Sequence, residues 1–569
     1  MSHLKRYNQG EQRYPSGVAL WTVLIPVTIA YFLFFLDTCI VATASPAITA
    51  EFNSLADLGW YGGAYQLGNA AIRPLTGKLF SQFNTKFTFL TFFIIFELGS
   101  VIAGAATSSA MFIVGRAIAG AGAAGISTGA LAILASVLPP HKQAKALGIN
   151  MGIGQSGIAL GPIIGGAFTT YVSWRWCFYI NLPLGALFLI LLLLSRIPEV
   201  TPKLPPRQII GTAMKSLDLP GIFLIAPAAI LLLLGLQWGG TRYSWSSSVV
   251  IGLIIGGLLF FVAFFVWEYR QKDEAMIPMA LLKNRIIWSA AATLFFLLAS
   301  VLVSEYYLAM YFQTIHDNSP LMSGVHILPT TLGLLLFAVL AGTMSEKFGY
   351  YLPWILVGAA ISAIGYGLMS TFTPTTPVPR WIGYQILFGA GSGAMVSIPY
   401  IAVQNCVPAT QIPIAMTIVL FCQDIGAATW LVAANAIFNN GLRLELQQRT
   451  GDLGIDPETI VQAGEHRVRE LLQGDALVAA LECFNGAISQ VFYLGIALAL
   501  VTLATNDLDN ASPTPSYSSS EALVKEKRTL SDASSGQETV KAKAWQFTRI
   551  AIEFRVTRPA TASSDTSQA

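Results

Sequence analysis

Residues 148–170 read GINMGIGQSGIALGPIIGGAFTT, an uninterrupted run without one charged side chain. Gly154, Gly157, Gly161 and Gly165 recur every three or four positions, so on a helix they form a single stripe that lacks side chains. Between helices in lipid there is little hydrophobic drive, and such stripes let two backbones approach closely. Pro162 lies inside the same run. It removes one backbone donor and favours a bend, which a membrane bundle tolerates in mid-helix. The spacing predicts a membrane helix built for close contact, with its partner expected in the second half of the chain, at the tenth span.

The bulk composition agrees. Of 569 residues, 54% are hydrophobic and 11% charged, and the mean hydropathy is +0.60. A soluble domain carries about 25% charge, so the chain reads as an all-α polytopic membrane protein. A net charge of +3 gives no reason to invoke nucleic acid. Cys39, Cys177, Cys406, Cys422 and Cys483 have neither metal-ligand nor disulfide spacing and read as small core residues. No metal or cofactor is expected. The first residues are polar and precede a long apolar run without a cleavage site, so the first span is read as a signal anchor.

A helix crossing about 30 Å of hydrocarbon needs roughly 20 apolar residues. About fourteen such spans occur, centred near residues 31, 69, 97, 122, 157, 185, 228, 257, 298, 332, 361, 391, 424 and 494. Lys and Arg concentrate in alternate loops: Lys5, Arg6 and Arg13; Lys142 and Lys145; Arg196, Lys203, Arg207 and Lys215; Arg270, Lys272, Lys283 and Arg285. The other loops hold isolated bases such as Arg175, Arg242 and Arg380. The positive-inside bias therefore predicts both termini in the cytoplasm. The plasma membrane is the expected location, with vacuolar or vesicle membranes as alternatives.

The expected organisation is a cytoplasmic segment 1–17, a six-helix half 18–200, loops and two inserted helices 201–284, and a second half 285–505. That second half carries an external loop 439–482, read as a cap, and a disordered tail follows from 506. Bases and aromatics mix at 541–558, a composition that suits an anionic leaflet, but plain disorder is the preferred reading. The sequon at Asn510 falls on the cytoplasmic side. A weak repeat links Gly77 to Lys86 after the second span with Gly342, Lys347 and Gly349 after the tenth. Both are read as cytoplasmic gating loops, and duplicated halves are common in secondary transporters.

Several motifs carry a family resemblance that runs from about Tyr31 to Phe438. Gly-x-x-x-Gly-Pro-x-x-Gly-Gly, covering Gly157, Gly161, Pro162, Gly165 and Gly166, resembles the antiporter signature of major facilitator exporters. LDTCIVATASPAI (36–48) and GRAIAGAGAAG (115–125) are similar to the first- and fourth-helix signatures of fourteen-helix drug:proton antiporters. WRWCFYINLPLG (174–185) and YYLAMYFQTIHDNSPLMSGVHILP (306–329) resemble runs in fungal members that export toxins, secondary metabolites and antifungal drugs. The loop after the second span lacks the usual Asp-Arg-x-Gly-Arg core, and Ala309 stands where a proline is usual. Arg73 and Asp424 put charges where neutral residues are commoner. The resemblance implies a major facilitator fold of two six-helix halves plus two central inserted helices. It also implies a monomer that exchanges protons for a small-molecule substrate.

An ionisable group at mid-bilayer costs at least about 2.5–3.5 kcal/mol on insertion scales, so each demands a reason. Burial of an acid favours its protonated form, which a proton carrier needs. Asp37 faces the central cavity by family analogy and is a proton-coupling candidate; a structural hydrogen bond is the other reading. Arg116 matches a fourth-helix arginine that the family implicates in proton transfer, and its permanent charge restricts it to an electrostatic part. Glu305 suits either protons or a cationic substrate. Asp424 completes the coupling candidates. Glu97 and Arg73 read as structural, with a pairing of Arg73 and Asp424 across the halves resting on opposite charge alone. Tyr31, Phe35, Tyr65, Tyr307 and Tyr311 are cavity candidates, and an aromatic cavity suits amphipathic multi-ring compounds better than sugars.

Three other functions compete. An importer of the same fold, for instance of a siderophore, is disfavoured by the 157–166 motif. A membrane enzyme finds no acyltransferase-like His-x-x-x-x-Asp among 5 histidines, and the one Gly-Lys pair, Gly77-Lys78, continues with leucine and forms no phosphate loop. A non-transporting sensor would carry a large cytoplasmic domain.

Overall fold

The computed structural model describes residues 14–52, 57–195, 197–199, 218–239, 243–271, 275–348, 352–449, 460, 468–469 and 471–504. Several sequence expectations lie outside the described residues: those on Lys5, Arg6, Arg13, Arg196, Lys203, Arg207, Lys215, Arg242, Lys272 and Gly349, and those on the tail with Asn510 and 541–558.

Among the described residues the architecture is helical, with one isolated bridge between Gly239 and Tyr243. The long helices are α1 (Val18–Phe52), α2 (Leu58–Gln82), α3 (Thr85–Gly104), α4 (Ser109–Val137), α5 (Pro140–Tyr171), α6 (Asn181–Leu194) and α7 (Leu219–Trp238). They continue with α8 (Ser248–Gln271), α9 (Arg285–Met310), α10 (Pro320–Phe348), α11 (Leu352–Met369), α12 (Val378–Val396), α13 (Ile412–Arg449) and α14 (Asp475–Ala504). A one-turn helix, Trp176–Tyr179, leads into α6; a π turn, Tyr311–Ile315, prolongs α9; and Ile398–Cys406 prolongs α12. Thirteen of these stretches are long and apolar enough to cross a membrane. α2 falls short because Gln66, Asn69, Arg73 and Lys78, with its glycines and ring hydroxyls, leave it less apolar than the others.

Local chemistry sets the ends. Asn84, Ser108 and Asn284 accept backbone N–H groups of Phe87, Met111 and Ile286 at the starts of α3, α4 and α9. Asp218 does so for Gly221 at the start of α7 from the left-handed region, φ 49°. Pro140 opens α5 at the one position where its missing donor costs nothing. α13 is 38 residues long, about 57 Å at 1.5 Å per residue, so it outruns the hydrocarbon. Because α13 runs to Arg449 and α14 begins at Asp475, helices occupy both ends of the loop expected at 439–482.

With alternating helices, one end of the bundle, here called proximal, holds the start of α1, and the distal end holds its finish. Packing divides the helices into two bundles. α1 packs on α5 and α6, α2 on α4 and α3 on α4; in the other bundle α9 packs on α13 and α14, α10 on α12 and α11 on both α12 and α14. The bundles meet through two crossed pairs, α5 with α10 and α13 with α2. α7 stands on α2 and α13 together, whereas α8 packs on α7 and exposes Leu258, Leu259 and Val262.

The glycine stripe has a different partner from the one expected. Gly154, Gly157, Gly161 and Gly165 face α1 of the same bundle, where a Cβ on Gly161 would sit 3.0 Å from Cys39 Cβ and one on Gly157 2.7 Å from the Phe32 carbonyl oxygen. The helix has a second small face. Gly148 and Gly152 meet Ala338 and Leu335 of α10, and a Cβ on Gly166 would sit 3.7 Å from the Leu321 nitrogen. The helical period explains the correction: residues at 154, 157, 161 and 165 share one face, and 148, 152 and 166 lie around the cylinder from it.

The segments read as gating loops are helical as well. Gly77 is inside α2, Lys86 opens α3, and Gly342 and Lys347 are in α10. A Cβ on Gly77 would sit 2.9 Å from Ile414 Cα of α13, and one on Gly342 would sit 3.1 Å from the carbonyl carbon of Ala144 in α5. The two glycines therefore mark equivalent crossings between the bundles, both at the proximal end. Lys86 donates to the Leu193 and Ser195 carbonyls at the end of α6.

Candidate functional site

A cavity of about 380 Å³ lies between the bundles in the distal half of the molecule. α1 contributes Phe34, Phe35 and Thr38; α2 contributes Gly63, Gln66, Leu67, Asn69 and Ala70; α5 contributes Ile158. α7 adds Leu233, Leu236 and Gln237, and α9 adds Leu298, Leu302, Tyr306 and Tyr307. The α13 wall runs from Gln423 and Asp424 through Ala427, Ala428, Leu431 and Val432 to Asn435. Aliphatic and aromatic carbon dominates. Five carboxamides, one hydroxyl, two phenols and one acid supply the polarity.

Asp424 is the cavity's acid, and it is paired. Arg73 Nε lies 2.5 Å from Asp424 Oδ2, with side chains 1% and 15% exposed respectively. The guanidinium also donates to Ser127 Oγ at 2.8 Å and to Asn69 Oδ1 at 2.9 Å. One arginine thus ties α2 and α4 of the first bundle to α13 of the second. One turn further toward the proximal end, Thr76 and Thr417 bring their hydroxyls within 3.5 Å of each other across the same crossing. The ion pair lies at the proximal edge of the cavity as its floor, and the packed Gly77 crossing lies beneath it.

Asp37 lies elsewhere. It is fully buried and does not line the cavity. Arg116 Nη1 donates to its Oδ2 at 2.5 Å, Arg116 Nη2 to its backbone oxygen at 3.1 Å, and Asn181 Nδ2 to its Oδ1 at 3.3 Å. Arg116 also donates to the Tyr61 carbonyl at 3.1 Å and sits over the Tyr65 ring, 4.5 Å from its centre. Every partner belongs to the first bundle, so this pair joins α1, α2, α4 and α6 and touches no part of the second.

The remaining acids differ again. Glu305 is buried on α9 one turn from Leu302 and next to Tyr306, and its Oε2 has no hydrogen-bond partner among the described residues. Glu97 is buried, both its carboxyl oxygens lack a hydrogen-bond partner among the described residues, and it faces Gly185 of α6, where a Cβ would sit 2.7 Å from its Cδ. Of the aromatic candidates, Phe35 and Tyr307 line the cavity. Tyr31, Tyr65 and Tyr311 do not: their hydroxyls go to Met151 Sδ, to the Phe34 carbonyl and to the Thr373 carbonyl. An aromatic with a hydroxyl fills a helix interface as well as it lines a cavity, and sequence position alone does not separate the two.

Sequence reasoning missed the carboxamides Gln66, Asn69, Gln237, Gln423 and Asn435. They are legible as uncharged polar groups inside apolar spans, but a carboxamide costs far less in a helix interior than a charge and so marks a site less sharply. It also missed Asn181, whose amide bridges Asp37 to Ser100 Oγ at 3.1 Å.

Residues 27–267 match the model of the Major Facilitator Superfamily. The chain is 46% identical to the MFS-type transporter pigP of Monascus ruber, over 86% of this chain and 85% of that protein. It is 41% identical to the efflux pump mlcE of Penicillium citrinum, over 87% and 90% of the two chains. Among solved structures, the proton:xylose symporter XylE covers 85% of this chain and 94% of its own, with TM-score 0.53 and 18% identity. The human organic anion transporter MFSD10 covers 84% and 99%, with TM-score 0.52 and 14% identity. Two crossed helix pairs around a central cavity, long-range identity to fungal transporters and a shared fold lead to one conclusion: the chain belongs to the major facilitator superfamily and is a transporter, not an enzyme.

Proposed function

We propose that the chain is a monomeric efflux pump that exports small, neutral, largely apolar compounds in exchange for protons. The observation that carries this reading is the cavity itself: an apolar shell with five carboxamides, whose acid is already matched by Arg73. Such a lining neither demands a cationic substrate nor supplies the dense donors that a sugar needs. It fits fused-ring or macrocyclic molecules bearing a few carbonyl or hydroxyl oxygens, the chemistry of many fungal secondary metabolites, toxins and antifungal drugs. Export is favoured over import by the Gly157–Gly166 motif and by relatives named as efflux pumps.

The proximal end is assigned to the cytoplasm. Among the described residues it carries Lys78, Lys86, Lys142, Lys145, Arg270, Lys283, Arg285 and Lys347, against Arg175, Arg380, Arg443, Arg449 and Arg469 distally. The cavity then faces outward with its cytoplasmic end closed. Proton coupling runs through Asp424 rather than Asp37, because only Asp424 both meets the cavity and joins the bundles. A proton arriving from outside cancels the carboxylate's charge, and Arg73 loses its counter-ion. The crossing is then held only by packing and the Thr76–Thr417 hydroxyl contact, and the bundles can rock to open the cytoplasmic side. There the proton leaves, substrate enters, and the restored ion pair favours return. Differential stabilisation of two states by one proton is all that such coupling requires.

The test is accumulation of Nile red, a neutral fused-ring carbonyl compound, in cells with and without the chain, at acidic and at neutral external pH. Lower accumulation in expressing cells, more pronounced at acidic pH, is expected. Equal accumulation in both cell types, or export indifferent to pH, would refute export or coupling respectively.

A further inference from the structure

α7 is one of the two helices that a two-bundle fold does not need, yet it is placed where the bundles are least closed. α5 and α10 adjoin along their whole length, from Gly148 beside Ala338 to Gly166 beside Leu321. On the other flank, α2 and α13 close at Gly77, and above the Arg73–Asp424 floor the cavity lies between them. α7 fills that gap. Ala229 and Leu233 pack with Leu67 and Ala70 of α2 and with Phe421, Ile425 and Ala428 of α13. Trp238 meets Trp60 of α2 edge-on, ring centres 5.7 Å apart. α8, by contrast, turns its outer surface to lipid.

At the level of the cavity α7 presents Gln237. Its carboxamide lies against Gly63, where a Cβ would come within 2.7 Å of Oε1, so the absence of a side chain at Gly63 makes the seat for this amide. Gln66, exposed in the cavity one turn along α2 from Gly63, stands in the same wall. We propose that α7 is the lateral wall of the substrate site and that Gln237 is a specificity-determining residue. Its carboxamide offers a hydrogen bond to a carbonyl or hydroxyl oxygen on an otherwise apolar substrate. The inference rests on the reading of this cavity as the transport site.

The test uses the full chain with three substitutions: Gln237→Met, which keeps length and removes the amide; Gln237→Cys; and Val262→Met on the lipid face of α8. Surface expression is matched by immunoblot. For Gln237→Met the half-saturating concentration for Nile red export is expected to rise roughly three- to tenfold at near-unchanged maximal rate, the loss of one neutral hydrogen bond. Val262→Met should leave both unchanged. Wild-type half-saturation in Gln237→Met, or the same rise in Val262→Met, would overturn the proposal. A second measurement separates it from the export reading. In Gln237→Cys, a membrane-impermeant thiol reagent is expected to modify residue 237, identified by mass spectrometry, and Nile red should slow that reaction. If the wild type exports no Nile red but protection is seen, export of this compound class fails and the wall stands. If residue 237 is unmodified, or is modified at the same rate with Nile red, the wall is refuted.

Discussion

Two buried arginine–aspartate pairs of similar geometry have opposite reach. Arg116–Asp37 is enclosed by one bundle and carries three further hydrogen bonds to that bundle; Arg73–Asp424 crosses between bundles and opens on the cavity. Removing one partner of a buried pair typically costs about 3–5 kcal/mol, because the other charge is left without compensation. Asp37→Asn is therefore expected to act on the fold, lowering the melting temperature of the purified protein while surviving molecules keep pH-dependent export. Asp424→Asn, at the pair that opens on the cavity, should besides any loss of stability retain substrate binding while the pH dependence of export disappears. Nile red efflux at two external pH values, beside thermal melting in detergent, reads both. Full pH dependence in Asp424→Asn would remove that residue from the coupling step. Sequence revealed that these four charges needed partners. It did not reveal which pair faces the cavity, because that depends on the rotation of α1 and α13 about their axes, and a helix apolar on every side carries no mark of its rotation.

At the scale of the helix, α5 explains both what was legible and what was not. Its small-residue stripe announced close packing, and its position made it a membrane span, but a stripe names no partner. The structure gives it two, α1 over Gly154–Gly165 and α10 over Gly148, Gly152 and Gly166. Substitutions on the two faces should accordingly separate. Gly161→Leu drives a side chain into Cys39 and Ile40 within one bundle, and overpacking of that kind costs typically about 1–3 kcal/mol. Lower yield of folded protein is expected, with export lost in proportion to it. Gly342→Leu enters the α5–α10 crossing beside Ala144, between bundles that must move. Normal expression with impaired export is expected there, since a change of this size matches the gap between transporter conformations. Expression and export per molecule, measured together, check both; equal export per molecule in the two variants would contradict the division of faces. The span centres were legible because each is set by a local run of apolar residues. The role of α7 was not, since its sequence, LPGIFLIAPAAILLLLGLQW, reads like any lipid-facing helix and only its seat between α2 and α13 distinguishes it.

At the scale of the whole molecule, the crossed pairs α5–α10 and α2–α13 are counterparts under exchange of the two bundles, and Gly77 and Gly342 are the matching contact points. Both glycines of the weak sequence repeat stand at these two contacts. The match is incomplete in a way that bears on transport: one flank is packed from end to end, and the other closes only proximally, with α7 covering the remainder. Motion that opens the proximal end must separate α2 from α13 below the Arg73–Asp424 pair. Thr76 and Thr417 lie at that place, hydroxyls 3.5 Å apart and both buried. The double substitution Thr76→Cys and Thr417→Cys puts two thiols across the crossing, and oxidation should join the bundles there. Mild oxidation is expected to abolish Nile red export and reductant to restore it, while either single substitution stays active under both conditions. The background cysteines are accounted for by mapping the linked peptides by mass spectrometry. Sustained export by molecules shown to carry the 76–417 link would mean that the α2–α13 crossing need not open, and both the outward-facing assignment and the floor role of Arg73–Asp424 would fall with it.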